Sequence, residues 1–239
     1  MIMDMISVCL ASYNGQDFIE RQVRSILAQI EANDELIISD DGSTDRTIEI
    51  LENIHDDRIK LLHANSRNVI HNFQISIQHA RGDYIFLADQ DDLWLDGKVK
   101  KSMEKLKSGY CLALTDCKIV DENGEVLVDS YFKLRHSRPG FLNNFIRNSF
   151  MGCCMAFTKD VKDRALPFPA NIPMHDLWIG LVAHTMGKVS FIHEPLLLYH
   201  RHDANISTTG LKSQASLKQK LRWRWQLAQA LFSSLNRFF

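Results

Sequence analysis

The strongest constraint on this chain is an alternation: four short apolar runs are separated by segments of helical periodicity, and three of the four end in polar clusters. The runs are residues 7–11, 35–39, 58–63 and 84–88. Between the first two, Phe18, Val23, Ile26, Leu27 and Ile30 recur at helical spacing. Residues 44–54 predict a second helix capped by Ser43 or Thr44, and Phe73, Ile77 and Ala80 mark a third. Strands alternating with helices imply an α/β fold with a mostly parallel central sheet and helices on both faces. The polar clusters are Ser12-Tyr13-Asn14, Asp40-Asp41 and Asp89-Gln90-Asp91. In such sheets ligands bind at the carboxyl ends of strands, where all three clusters fall.

The later half is less regular. Strands are expected at residues 112–120, 151–157, 189–192 and 196–199, the last two flanking Glu194-Pro195. Short helices are expected at 139–147 and 174–186. The expected organisation is one unit over residues 1–210, with a nucleotide-binding half (1–110) and an acceptor half (111–210), followed by a C-terminal helix at 211–239.

The 239 residues suffice for one sizeable core, and a net charge of -1 gives no reason to expect nucleic acid. The charge is uneven, because beyond Asp203 there are six Lys or Arg and no acid. Leu221, Trp225, Ala228, Leu231 or Phe232, and Leu235 recur there at spacings of three and four. A basic, aromatic-rich amphipathic helix of this kind suits the inner membrane surface, and packing on the protein's own core or on a second subunit is the alternative. Five cysteines without a CxxC pair suggest reduced, structural thiols and a cytoplasmic setting. The first residues lack a signal-peptide pattern, and no apolar stretch is long enough to span a bilayer.

Four clusters can carry chemistry. Asp89-Gln90-Asp91-Asp92 packs three carboxylates after an apolar strand, which suits Mg²⁺ or Mn²⁺ bridging to phosphate; a solvated turn is the alternative. In Asp40-Asp41-Gly42-Ser43 a carboxylate can accept from the imide N–H of uracil or thymine, and the same residues favour a turn. Asp176, after His175 at a helix start, fits either a general base or a helix cap. Tyr199-His200-Arg201-His202 offers imidazoles for a metal or phosphate, and Cys153-Cys154 reads as core packing.

Taken in order, Ala11-Ser12-Tyr13-Asn14-Gly15, the run from Glu35 to Asp45, the run from Gly82 to Trp94, Gly152-Cys153-Cys154 and His175-Asp176-Leu177-Trp178 resemble family 2 glycosyltransferases of the GT-A (Rossmann-like) fold. The likeness spans Ser7 to about Ser207 and looks most like bacterial rhamnosyltransferase-type enzymes of surface-polysaccharide assembly. It implies that Ala11 and Tyr13 line the base pocket, Asp41 binds the imide, and Asp89 contacts the ribose. It further implies Asp91 as principal metal ligand, His202 completing the metal or diphosphate site, and Asp176 as base. His200 and His202 are not cleanly distinguished. Trp94 and His175 are placed on the acceptor side. The implied reaction is a Mn²⁺- or Mg²⁺-dependent inverting transfer from a UDP- or dTDP-sugar to a hydroxyl of a glycan or lipid-linked acceptor. The alternatives are a sugar-1-phosphate nucleotidyltransferase, against which the loop Ser12 to Asp17 lacks Lys or Arg, and a non-catalytic carbohydrate- or membrane-binding protein.

Overall fold

The computed structural model describes residues 4–201 and 216–236. His202 and the end of the chain from residue 237 lie outside them. The first half builds β1 (Ile6–Ser12), α1 (Ile19–Leu27), β2 (Glu35–Asp40), α2 (Thr47–Glu52), β3 (Ile59–His63), α3 (Val69–His79) and β4 (Tyr84–Asp89). The second half adds β5 (Leu93–Trp94), α4 (Lys98–Lys107), β6 (Tyr110–Val120), β7 (Val126–Val128), α5 (Tyr131–Arg135) and α6 (Phe141–Ile146). A 3-10 turn (Gly152–Cys154) follows, then β8 (Met155–Thr158), α7 (Lys159–Ala165), α8 (His175–Met186), β9 (Lys188–His200) and α9 (Leu217–Asn236).

One sheet runs through both halves in the order β3-β2-β1-β4-β8-β6-β9-β5, with β7 paired to β6. The β3-β2-β1-β4 ladders and β6-β9 are parallel and hold most of the paired residues. The strand β8 enters antiparallel between β4 and β6 and joins the halves. The mixed α/β architecture and mostly parallel sheet agree with the sequence reading. β1 and β2 are buried almost throughout, as strands covered on both faces must be, and each carries a central apolar run, residues 8–11 and 36–38. After β1 the chain places β2 on one side and β4 on the other. The order therefore reverses at β1, where Ala11 is in register with Asp89 and Ser12 with Asp40. Such a reversal opens a crevice at the carboxyl ends of the strands.

Three local expectations are corrected. Helix α2 begins at Thr47 rather than 44, because Asp45, and neither Ser43 nor Thr44, accepts the Thr47 amide at 3.0 Å. Ser43 instead turns its hydroxyl to Asp40 at 2.6 Å. The expected strand 151–157 opens as the 3-10 turn before β8. The two strands expected around Glu194-Pro195 are one strand, β9. Its register against β6 jumps from Thr115↔Ile192 to Asp116↔Pro195, so the proline sits at a bulge, where its missing N–H costs no ladder bond.

Helix α9 packs one face on the core and leaves another exposed. Leu227 and Leu231 are buried in the core, and the Arg224 guanidinium donates to the Ile146 carbonyl at 2.8 Å. Leu231 thus belongs to the inward face. Leu221, Trp225 and Phe232, at spacings of four and seven, are each more than 60% exposed on another face. Among the described residues no helix is long and apolar enough to cross a membrane.

Candidate active site

The crevice at the β1–β4 reversal is built by buried polar side chains that first shape its backbone. Asp40 accepts from Ser12 Oγ at 2.8 Å and from the Gly42 and Ser43 amides at 3.1 and 2.8 Å, so it organises the turn after β2. Asp41 holds the next layer. Its Oδ1 accepts the Ser66 and Arg67 amides at 2.6 and 3.0 Å, and its Oδ2 the Asn68 amide at 2.9 Å. The Ser66 hydroxyl, 3.2 Å from Oδ2, has the Asn68 carbonyl as a second acceptor at 3.2 Å. A lone pair on Asp41 Oδ2 is therefore open to an external donor when that hydroxyl turns away.

Gln90, to which the sequence assigned no role, clamps the loop after β1. Its Oε1 accepts the Tyr13 amide at 2.8 Å and its Nε2 donates to the Tyr13 carbonyl at 3.0 Å. A Cβ on Gly15 would meet Gln90 Oε1 at 2.4 Å, so the clamp requires glycine there. Tyr13 itself is 53% exposed at the rim. Below, Gln22 Nε2 donates to the Asp89 carbonyl at 2.9 Å and fixes the end of β4.

The turn after β4 brings Asp89 and Asp92 to the same side, as the ends of a four-residue turn converge. Ligand atoms of Asp89, Asp92 and Cys153 lie within 4.8 Å of one another. Asp92 is fully buried, and neither of its oxygens has a hydrogen-bond partner. Burial, then the like charges of Asp91 and Asp89, push its carboxyl well above the usual range. Asp89 is pushed up to about 8 by desolvation first, then by Asp91 and Asp176. Orphaned, buried carboxylate oxygens crowded by like charge fit a divalent cation, and hard oxygen donors suit Mg²⁺ or Mn²⁺. Asp91, expected as the principal ligand, is buried close enough to raise both neighbours but is not one of the three converging donors. Cys153, expected only to pack, is one of them.

Asp176 arrives from the other half. It opens α8, buried, and accepts the Leu177 amide. Burial raises its carboxyl to about 7 against the pull of that amide and of the Gly152 amide. Its charge acts on Asp89, so two carboxylates 87 positions apart in the chain share one crevice. Gly152 makes the approach possible, since a Cβ there would lie 3.0 Å from His175 Nε2. His175 is buried and stacks on Phe73 at 4.1 Å, with neither ring nitrogen hydrogen-bonded, and desolvation lowers its pKa to about 3. Trp94 is likewise buried, 5.8 Å from the Phe86 ring. Both residues expected on the acceptor side are thus buried. His200 is buried at the end of β9.

Under the carboxylates sits Lys98, which the sequence reading missed. It is 1% exposed; its Nζ donates to the Cys153 carbonyl at 3.0 Å and to Thr115 Oγ1 at 3.2 Å, and lies 5.1 Å from the Trp94 ring centroid. It ties the 3-10 turn to β6. The legible signal was its place four and eight residues before the buried Ser102 and Leu106, within a run that otherwise looks like a charged surface.

The profile of Glycosyl transferase family 2 matches residues 7–164, well over half the chain. The chain belongs to that family. Its site segments from β1 to the 3-10 turn fall inside the match, while α8 and α9 follow it. Membership makes this family 2 chain a glycosyltransferase and sets aside the nucleotidyltransferase and non-catalytic alternatives. Among curated relatives, it is 27% identical to the dTDP-rhamnosyl transferase RfbG of Shigella flexneri, over 88% of this chain and 77% of that one. It is 28% identical to the UDP-Glc:alpha-D-GlcNAc-diphosphoundecaprenol beta-1,3-glucosyltransferase WfgD of Escherichia coli, over 74% of this chain and 70% of that one. Among solved structures, S. aureus TarS 1-349 in complex with UDP-GlcNAc superposes with a TM-score of 0.74 at 18% identity, over 96% of this chain and 67% of that one. The mannosyltransferase PcManGT from Pyrobaculum calidifontis, in complex with GDP-Man and Mn²⁺, gives 0.60 at 19% identity, over 97% and 63%. At these identities the structural likeness speaks for the fold, and the fold holds both a uridine and a guanosine donor.

Proposed function

We propose that this family 2 transferase moves a sugar, rhamnose being one candidate, from a UDP- or dTDP-sugar to a hydroxyl of a lipid-linked glycan in bacterial surface-polysaccharide synthesis, with inversion and with Mn²⁺ or Mg²⁺. The observation that carries the reading is the shared crevice of Asp176 and Asp89 at the point where strand order reverses. Asp176 takes the proton from the acceptor oxygen as it attacks the anomeric carbon, and burial tunes it for that task near neutrality. Asp41 accepts the imide N–H of the base, Ala11 and Tyr13 flank the base, and Asp89 contacts the ribose. Asp91, with Asp89 and Asp92 beside it and His202 or His200 completing the set, would hold the divalent ion. That ion, when bound, offsets charge on the leaving diphosphate. RfbG and WfgD supply the analogy for donor and acceptor class.

The test is calorimetric competition with Mn²⁺ present. UDP or dTDP should bind more tightly than CDP, which lacks an imide donor, and Asp41→Ala should erase the difference. GDP has an N–H of its own, so its rank tests the Asp41 contact less directly. Equal affinity for UDP and CDP in the wild type would remove Asp41 from this role.

The outward face of α9 is assigned to the membrane interface, where the lipid-linked acceptor lies. Leu221, Trp225 and Phe232 are exposed there, and Lys218, Lys220 and Arg222 are exposed on the same helix. Because Leu227 and Leu231 anchor α9 in the core, the test replaces only the outward residues. Trp225→Ser with Phe232→Ser should abolish salt-sensitive sedimentation with phosphatidylglycerol vesicles and leave the melting temperature unchanged. Undiminished sedimentation of the variant would remove α9 from this role.

A further inference from the structure

A groove of about 430 Å³ lies between the first turns of α9 and the segment that leads into α8. Lys218, Arg222 and Gln226, at helical spacing of four, line one side with Trp223; Asn171 and Pro173 line the other. Among the described residues no carboxylate lines it, and neither Lys218 nor Arg222 is in an ion pair with an acid. Two cations beside amide donors and a half-buried indole favour an anion joined to an apolar or sugar group. An uncompensated pair of this kind within one concave surface is complementary to phosphate.

Its position narrows the ligand. Pro173 lies three residues before Asp176, so chain reach alone keeps that wall within about 11 Å of the base, Cα to Cα. On the other flank, Leu221 and Trp225 are sequence neighbours of Arg222 and Gln226 but face outward into solvent. The groove thus lies beside the exposed apolar face of α9 and within chain reach of Asp176. A molecule with an apolar tail, a diphosphate and a glycan head matches that sequence of surfaces in that order.

We propose that the groove between α9 and residues 171–173 binds the diphosphate of a lipid-linked acceptor through Lys218 and Arg222. The proposal rests on the acceptor class given above and names the part of the chain that recognises it. Lys218 and Arg222 neutralise the diphosphate, Trp223 offers its ring to the first sugar, and the glycan beyond it is directed to Asp176. Bilayer headgroups carry phosphate too, so the experiment separates the two sources.

The full chain is titrated calorimetrically with geranyl diphosphate in EDTA, which keeps diphosphates off the donor carboxylates. Binding to vesicles of phosphatidylcholine with and without phosphatidylglycerol is measured in parallel. Lys218→Gln with Arg222→Gln should weaken geranyl diphosphate binding at least roughly ten-fold, the loss of charge-assisted hydrogen bonds. In turnover the same variant should raise the acceptor KM by a similar factor with little change in kcat. Both residues are exposed, so folding is retained and is checked by the melting temperature. UDP binding with Mn²⁺ should be unchanged, and it reports separately on the donor half of the proposed function. Wild-type affinity in the double variant overturns the proposal, as does a wild type that ignores geranyl diphosphate. A variant that loses only phosphatidylglycerol vesicles also overturns it, and assigns the two cations to the bilayer.

Discussion

Asp176→Asn is expected to lower turnover by roughly 10²–10⁴, the usual worth of a positioned general base, while UDP or dTDP affinity holds. The carboxamide keeps an oxygen to accept the Leu177 amide at the start of α8, and it has no proton affinity useful to the reaction. Stability should be unchanged or slightly higher near pH 8. The wild-type carboxyl is disfavoured as an anion by burial, and the amide carries no charge there. The pH profile gives an independent reading. Asp176 must be ionised to act, and its pKa is raised to about 7, so kcat/KM should fall about ten-fold per pH unit below that value at limiting metal. Saturating Mn²⁺ should move this limb to lower pH, because a nearby cation favours the ionised form. The measurement is steady-state release of nucleoside diphosphate between pH 5 and 9. Near-normal turnover in the variant would remove Asp176 from the role.

The metal-free protein should lose stability as pH rises, and Mn²⁺ should restore it. Asp89 and Asp176 carry raised values of about 8 and 7, and Asp92 is raised well above its ordinary value of 3.8. The folded state therefore binds more protons than the unfolded state between about pH 4 and 8. By linkage, unfolding free energy declines across that window; the contribution is fully present below about pH 4 and lost as pH climbs through the folded values. A ten-fold difference in proton affinity between the folded and unfolded states corresponds to about 1.4 kcal/mol, so the summed effect is several kcal/mol and on the order of 10 °C in Tm for a chain of this size. A divalent ion binds the ionised carboxylates, so its stabilisation should be much larger at pH 8 than at pH 5.5. Asp92→Asn should flatten the metal-free profile and reduce the Mn²⁺ gain. Thermal unfolding at both pH values, with EDTA or Mn²⁺, decides it. An equal Mn²⁺ gain at the two pH values, or none, would show that these carboxylates do not hold the ion.

Sequence pattern determined the architecture of the first half because its signals are local. A strand buried on both faces carries a central apolar run, as residues 8–11 of β1 and 36–38 of β2 do, and the polar residue ending each one marks the carboxyl edge of the sheet. The same logic singled out Asp41 and Asp89 before any tertiary contact was known, whereas Asp176 stood out at a helix start and through the family resemblance. The second half was less legible because its elements are set by partners distant in the chain. Pro195 reads as a strand breaker locally, yet the bulge against β6 lets β9 run through it. Cys153 reads as packing until β8 inserts beside β4 and carries the preceding 3-10 turn to Asp89 and Asp92. Lys98 reads as surface in a lysine-rich helix until α4 packs on β6 and buries it. In α9 the spacing disclosed one apolar face, and only docking on the core divided Leu227 and Leu231 from Leu221, Trp225 and Phe232. Periodicity records which residues are apolar and at what spacing. Which apolar face is covered, and which charge meets which, depends on contacts between residues far apart in the chain, and those exist only once the sheet has closed.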